Sequence, residues 1–170
     1  FTKSPEFTIL LLSSSFIESL VILFVSYLAS KIMSSSLWIF VVSLFSNSII
    51  IDSKSGYSGA GKNYKLKFSH KNFYNSIFAY GIEKHKHMSE LDQEFKKYSK
   101  VNIKYTLNPH LLPTFRGILS SIYLEIKKNV KIEKIYFALK KFHSKNNFVH
   151  LHKINTPIGT SNVMDTNNCE

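Results

Sequence analysis

Apolar and polar positions change rhythm close to Asn47. Beyond it, Ser48 to Asp52 is a short β-branched run that opens into a polar, Gly-rich stretch, the pattern of a buried strand entering a turn. Met88 to Tyr98 carries Leu91, Phe95 and Tyr98 at helical spacing, with Ser89 placed to cap the start, and predicts a helix over 88–98. Val101, Ile103, Tyr105 and Leu107 alternate with polar neighbours, so 101–107 predicts a half-buried strand. Ile118, Ser120, Ile122, Leu124 and Ile126 share one face of a further strand over 117–126. Ile132, Ile135, Tyr136, Leu139 and Phe142 form one stripe of a helix over 131–142, and 147–154 alternates again. Together these elements predict an α+β fold with a mixed, largely antiparallel sheet covered by helices. No repeat of 20 to 50 residues is visible, which argues against a solenoid.

Residues 1–46 differ in texture: they are apolar and Ser-rich, with charges only at Lys3, Glu6, Glu18 and Lys31. Segments 7–29 and 32–50 each approach the ~20 apolar residues that span a bilayer, and together they read as a candidate membrane hairpin. Against this stand the serines at 13–15 and 34–36, and Glu18, which costs roughly 2.5 kcal/mol or more inside a bilayer. A signal peptide is not matched, because no basic start or small-residue cleavage site frames a short apolar core. The expected organisation is therefore an atypical apolar segment, 1–46, followed by a partial domain over 47–170. The chain opens at Phe1 without Met and stops just after Cys169, and it is expected to be a fragment.

Of 170 residues, 22 are Lys or Arg against 11 Asp or Glu, giving a formal charge of +11. Such a field attracts phosphates, but Arg116 is the sole arginine, and specific phosphate recognition favours the guanidinium fork. Scattered lysines therefore indicate a solvated surface rather than a nucleic-acid site. The single cysteine, Cys169, excludes a disulfide and any multi-thiolate zinc site within the chain and fits a cytoplasmic location.

Chemistry concentrates in three places. Asp52 to Lys62 contains glycines at 56, 59 and 61, where backbone can approach a ligand closely, with serines between them to offer donors to an anion. His85 and His87 are two apart, on one face if the segment is a strand; no third ligand at a recognisable spacing joins them, so a metal site is not expected. Pro109 and Pro113 flank an extended bend that leads to Arg116, whose planar fork can hold a carboxylate bidentately.

These segments resemble, in order and over about 120 residues, the N-acetyl-gamma-glutamyl-phosphate reductase family. Asp52-Ser53-Lys54-Ser55-Gly56-Tyr57-Ser58-Gly59-Ala60-Gly61 is similar to its Asp-x-Lys-Ser-Gly-x-Ser-Gly-Ala-Gly signature. His85-Lys86-His87-Met88-Ser89-Glu90-Leu91-Asp92-Gln93 resembles His-Arg-His-x-Pro-Glu-Ile-x-Gln, with Lys86, Ser89 and Leu91 as departures. Pro109-His110-Leu111 through Tyr123 is similar to Pro-His-Leu-x-Pro-x-x-Arg-Gly-Ile-Leu-x-Thr-x-Tyr, and Asn167-Asn168-Cys169-Glu170 more weakly to an Asn-x-Cys-Asp segment, which makes Cys169 a structural residue. The resemblance implies the substrate and dimerisation domain of a homo-oligomeric, NADPH-dependent enzyme of arginine biosynthesis. In it a cysteine thiolate attacks an acyl phosphate and the resulting thioester is reduced. His85, or alternatively His87, is the implied catalytic imidazole; Arg116, His110, Lys54 and Ser55 are the implied substrate contacts; Ser58, Gly59, Ala60 and Gly61 are the implied cofactor contacts.

The family's nucleophile is missing. Its Gly-Cys-Tyr-Pro-Thr turn is expected near Ser26-Tyr27-Leu28-Ala29, where neither the cysteine nor the flanking prolines occur. A shifted reading frame over residues 1 to about 46 would account for this and for the Ser, Phe and Leu richness there, and a chain so altered is expected to be inactive alone. The contrasting expectation is a membrane-anchored basic module in which 7–50 forms the hairpin and the Lys-rich remainder meets acidic lipid or RNA.

Overall fold

The computed structural model describes residues 6–13, 45–60, 75–82, 84–99 and 102–170; at 6–13, 45–47, 60 and 98 only the backbone is described. Five strands form one sheet: β1 Glu6–Ser13, β2 Phe45–Gly56, β3 Phe78–Ala79, β4 Lys104–Leu112 and β5 Ile118–Ile126. Their spatial order is β1-β5-β2-β4-β3, with β2 and β4 parallel and every other pair antiparallel. Among the described residues, two helices, α1 Met88–Tyr98 and α2 Ile132–His143, give the mixed α+β architecture that the periodicities predict.

Period two decides which face is buried. Ile51 pairs with Leu107 on β4 and Ile122 on β5, so these three side chains share a face, and all are buried. Leu91 and Phe95 of α1 and Ile135 and Leu139 of α2 close over the same face with Leu124, Ile126 and Cys169, forming one core. The opposite face keeps Ile50 at 45 % and Tyr123 at 38 % exposure, although these two are cross-strand partners. Among the described residues, helices cover one side of the sheet only.

Several local expectations change. The serine expected to cap α1 sits two residues past the cap: His87 occupies the N-cap without a side-chain cap bond, and the Ser89 hydroxyl donates to the Lys86 carbonyl at 3.1 Å. The strand expected over 101–107 begins at Lys104 and runs on to Leu112, through Pro109; Val101 lies outside the described residues. Proline is tolerated there because its absent N–H faces β3: the Tyr80 amide donates to the Pro109 carbonyl at 3.1 Å, no return bond is possible, and β3 ends after two residues. The alternation over 147–154 does not make a strand. It yields one isolated parallel bridge, Val149 to Cys169.

The described ends of the expected membrane hairpin, Glu6–Ser13 and Phe45–Gly56, are strands of this sheet, and no helix among the described residues is long and apolar enough to cross a membrane. The middle of that segment, including Ser26, lies outside the described residues.

Candidate functional site

Because β2 and β4 run parallel, their carboxyl ends reach the same edge of the sheet, and β5 starts from that edge. The glycine-rich segment leaves β2 there as a 3-10 turn, Tyr57–Ala60, and meets the bend between β4 and β5. Three successive amides make the junction: Gly56 donates to the Gly117 carbonyl at 2.8 Å, Tyr57 to Thr114 at 3.0 Å and Ser58 to Phe115 at 3.0 Å. Gly56 is required by this approach. A Cβ at that position would lie 2.8 Å from the Phe115 oxygen and 2.9 Å from the Arg116 nitrogen, both backbone atoms. Arg116 is thus carried on a bend clamped by the glycine segment, with its guanidinium 5.6 Å from the centre of the Phe115 ring.

Two register steps from the edge, Lys54 lies opposite His110. Asp52, two residues earlier on the same face of β2, bonds the Lys54 ammonium at 2.5 Å and has its other oxygen 3.2 Å from His110 Nδ1. That imidazole nitrogen also lies 3.2 Å from the Asn108 carbonyl. Asp52 is a member of the site that the sequence reading left without a role; the period-two spacing from Lys54 was the available signal. Ser55 points to the other face, where it is buried and its hydroxyl reaches the His110 carbonyl at 3.4 Å.

The imidazole pair sits beyond β3. The His85 and His87 rings are 4.8 Å apart, Tyr80 lies 5.4 Å from His85, and the His87 amide donates to His85 Nδ1 at 3.3 Å. This group is tied to the rest through β3, whose Ala79 pairs with His110. The structure therefore brings Asp52, Lys54 and His110 together on one face across β2 and β4, turns Ser55 to the opposite face, and places Ser58 against the Phe115 carbonyl next to Arg116. His85 and His87 form a neighbouring cluster on the far side of β4.

The expected dinucleotide contacts can be tested against the donor set. The amides of Gly56, Tyr57 and Ser58 are engaged by carbonyls of the 114–117 bend. Of the expected contacts, Ser58 retains a hydroxyl and Gly59 a surface without a side chain, while Gly61 lies outside the described residues. With those three amides engaged, this part of the segment does not offer them as a cradle for phosphates. Among the described residues no three His, Cys, Asp or Glu side chains converge as a metal site would require.

Residues 36–170 match the family model described as semialdehyde dehydrogenase, dimerisation domain. Curated relatives include the N-acetyl-gamma-glutamyl-phosphate reductase of Thermoanaerobacter pseudethanolicus, 35 % identical over 126 residues, covering 74 % of this chain and 37 % of that protein. The protein of the same name from Afipia carboxidovorans is 39 % identical over 106 residues, 62 % of this chain and 30 % of that protein. The chain thus spans a little over a third of the length of the curated relatives it matches. Among solved structures, aspartate semialdehyde dehydrogenase II from Vibrio cholerae superposes with a TM-score of 0.50 at 12 % identity, over 72 % of this chain and 43 % of that one, a likeness of fold. With four-fifths of its residues inside the family model, the chain belongs to the semialdehyde dehydrogenase dimerisation-domain family.

Proposed function

We propose that this chain is part of an NADPH-dependent reductase that converts N-acetyl-glutamyl 5-phosphate to N-acetyl-glutamate 5-semialdehyde, and that alone it is inactive. The observation that carries this reading is that the family match over 36–170 contains the glycine segment, the imidazole pair and the Arg116 bend, in a chain whose relatives bear that reductase's name.

In this reading the Arg116 guanidinium holds the substrate carboxylate as a two-point fork, with Lys54 and His110 as further polar contacts, while Ser55, buried on the opposite face, supports the strand pair. His85, with His87 as the alternative, stands beside the reacting thiolate, whose availability near neutral pH needs such a partner. The thiolate attacks the acyl carbon, phosphate leaves, and the thioester is reduced; NADPH, when bound, supplies the hydride. Ser58, Gly59, Ala60 and Gly61 are, by family resemblance, the residues that contact that cofactor. The family nucleophile, expected near Ser26, has no cysteine in this sequence, which is the reason for inactivity. The uncovered sheet face that carries Ile50 and Tyr123 supports homo-dimerisation through that face, and a cytoplasmic enzyme is the setting this chemistry fits.

Grafting residues 47–170 into the Thermoanaerobacter reductase in place of its matching segment tests the reading. The graft should oxidise NADPH only with N-acetyl-glutamyl phosphate, and Arg116→Lys should raise KM by about tenfold or more, because an ammonium cannot replace the fork. A folded graft without turnover, or one indifferent to Arg116→Lys, overturns it, as does NADPH oxidation by the 170-residue chain alone. The proposed separate coding origin of residues 1–46 is tested by translating the encoding DNA in its other two frames. A Cys-Tyr-Pro-Thr-like segment upstream of Asp52 is expected, and its absence from both frames defeats the idea.

A further inference from the structure

We propose that the backbone amide of His87 holds the His85 imidazole as its Nε2–H tautomer, so that His85 meets the reacting centre as a hydrogen-bond donor from Nε2. The role rests on the reading above that His85 serves that centre; the tautomer does not.

The His87 N–H donates to His85 Nδ1 at 3.3 Å. A ring nitrogen that accepts a hydrogen bond carries no proton, so in the neutral imidazole the proton resides on Nε2. The donor is a backbone group with a fixed direction. His87 is 8 % exposed and opens α1, where its carbonyl accepts from Leu91 at 3.0 Å and the His85 carbonyl accepts from Met88 at 3.0 Å. The ring itself is seated by contact. Tyr80 and His87 meet it edge-on at 5.4 and 4.8 Å, and Gly81, at φ +59, provides space: a Cβ there would lie 3.0 Å from His85 Cδ2. A neutral ring that accepted a proton at Nε2 would have to carry its own on Nδ1 and break this contact. The spacing His-x-His thus has a backbone use: the second residue's amide, rather than its imidazole, orients the first.

Nitrogen-15 labelling of the 170-residue chain with long-range proton–nitrogen correlation at pH 8.5, where imidazoles are neutral, reads the tautomer directly. His85 should be almost wholly Nε2–H, beyond the mixture shown by an exposed histidine. His87→Ala, which keeps the amide, should leave that state unchanged. His87→Pro, which removes the N–H at a position whose φ of −79 suits proline, should return His85 to the exposed mixture. An Nδ1–H ring or a solvent-like mixture in the unsubstituted chain overturns the proposal without need of either variant, as does an unchanged tautomer in a folded His87→Pro. Failure of the reductase graft would leave this result standing, and an Nδ1–H ring would leave the reductase reading standing.

Discussion

The Tyr105 hydroxyl of β4 lies 2.9 Å from the Asp92 carboxylate of α1 and 2.9 Å from the Met88 carbonyl at the start of the same helix. One phenol thus fastens the first turns of α1 to the sheet, and its ring packs 5.3 Å from Phe95. Burial, then the hydrogen bond and charge of Asp92, push the phenol pKa up, so the neutral donor form is the one the fold holds.

Tyr105→Phe keeps the ring and removes the bond. Because the Asp92 contact is solvent-exposed, the expected loss is about 1 kcal/mol, read as a lower urea midpoint at unchanged slope. No change in midpoint would mean that α1 is held by its apolar stripe alone.

Gly56→Ala forces a methyl against the Phe115 and Arg116 backbone, which cannot rotate away as a side chain would. Overpacking of this kind costs about 1–3 kcal/mol. Thermal unfolding should register it, and amide shifts at Phe115 to Gly117 should move more than those of α2. A variant as stable as the parent would show that the junction is loose.

His143 is buried at 6 % exposure on α2 against the Phe142 ring, and burial lowers its pKa from 6.5 to about 4. The folded state then binds fewer protons than the unfolded one between these values. Its contribution is complete above pH 6.5 and is lost as pH falls toward 4, up to roughly 3 kcal/mol. In His143→Phe the fall in stability between pH 7 and 4 should be shallower by up to one proton's slope. Parallel profiles for the two proteins would rule out His143 as the titrating group.

Tyr123 and Ile50 are exposed cross-strand partners on the helix-free face. If that face pairs two copies, Tyr123→Glu should convert dimer to monomer in light scattering while far-ultraviolet circular dichroism is unchanged. A dimer that persists places the interface elsewhere.

Much of this was present in the chain itself. The stripes Leu91–Phe95 and Ile135–Leu139 mark both helices to within a residue, and the alternation at Ile122, Leu124 and Ile126 marks β5 and its buried face. The motif residues also announced the candidate chemistry. What failed was local: Ser89 had the cap residue type but not the cap position, and 147–154 had the strand rhythm but pairs through the single Val149–Cys169 bridge.

Periodicity settles which way each side chain faces, because that depends only on the backbone repeat of a helix or strand. Partnership is another matter. That Lys54 lies across from His110 under one carboxylate, and that three amides of the glycine segment close on the Arg116 bend, follow from strand order and register. Those are chosen by how the whole sheet buries its apolar face under two helices, a collective choice that no short stretch of sequence contains.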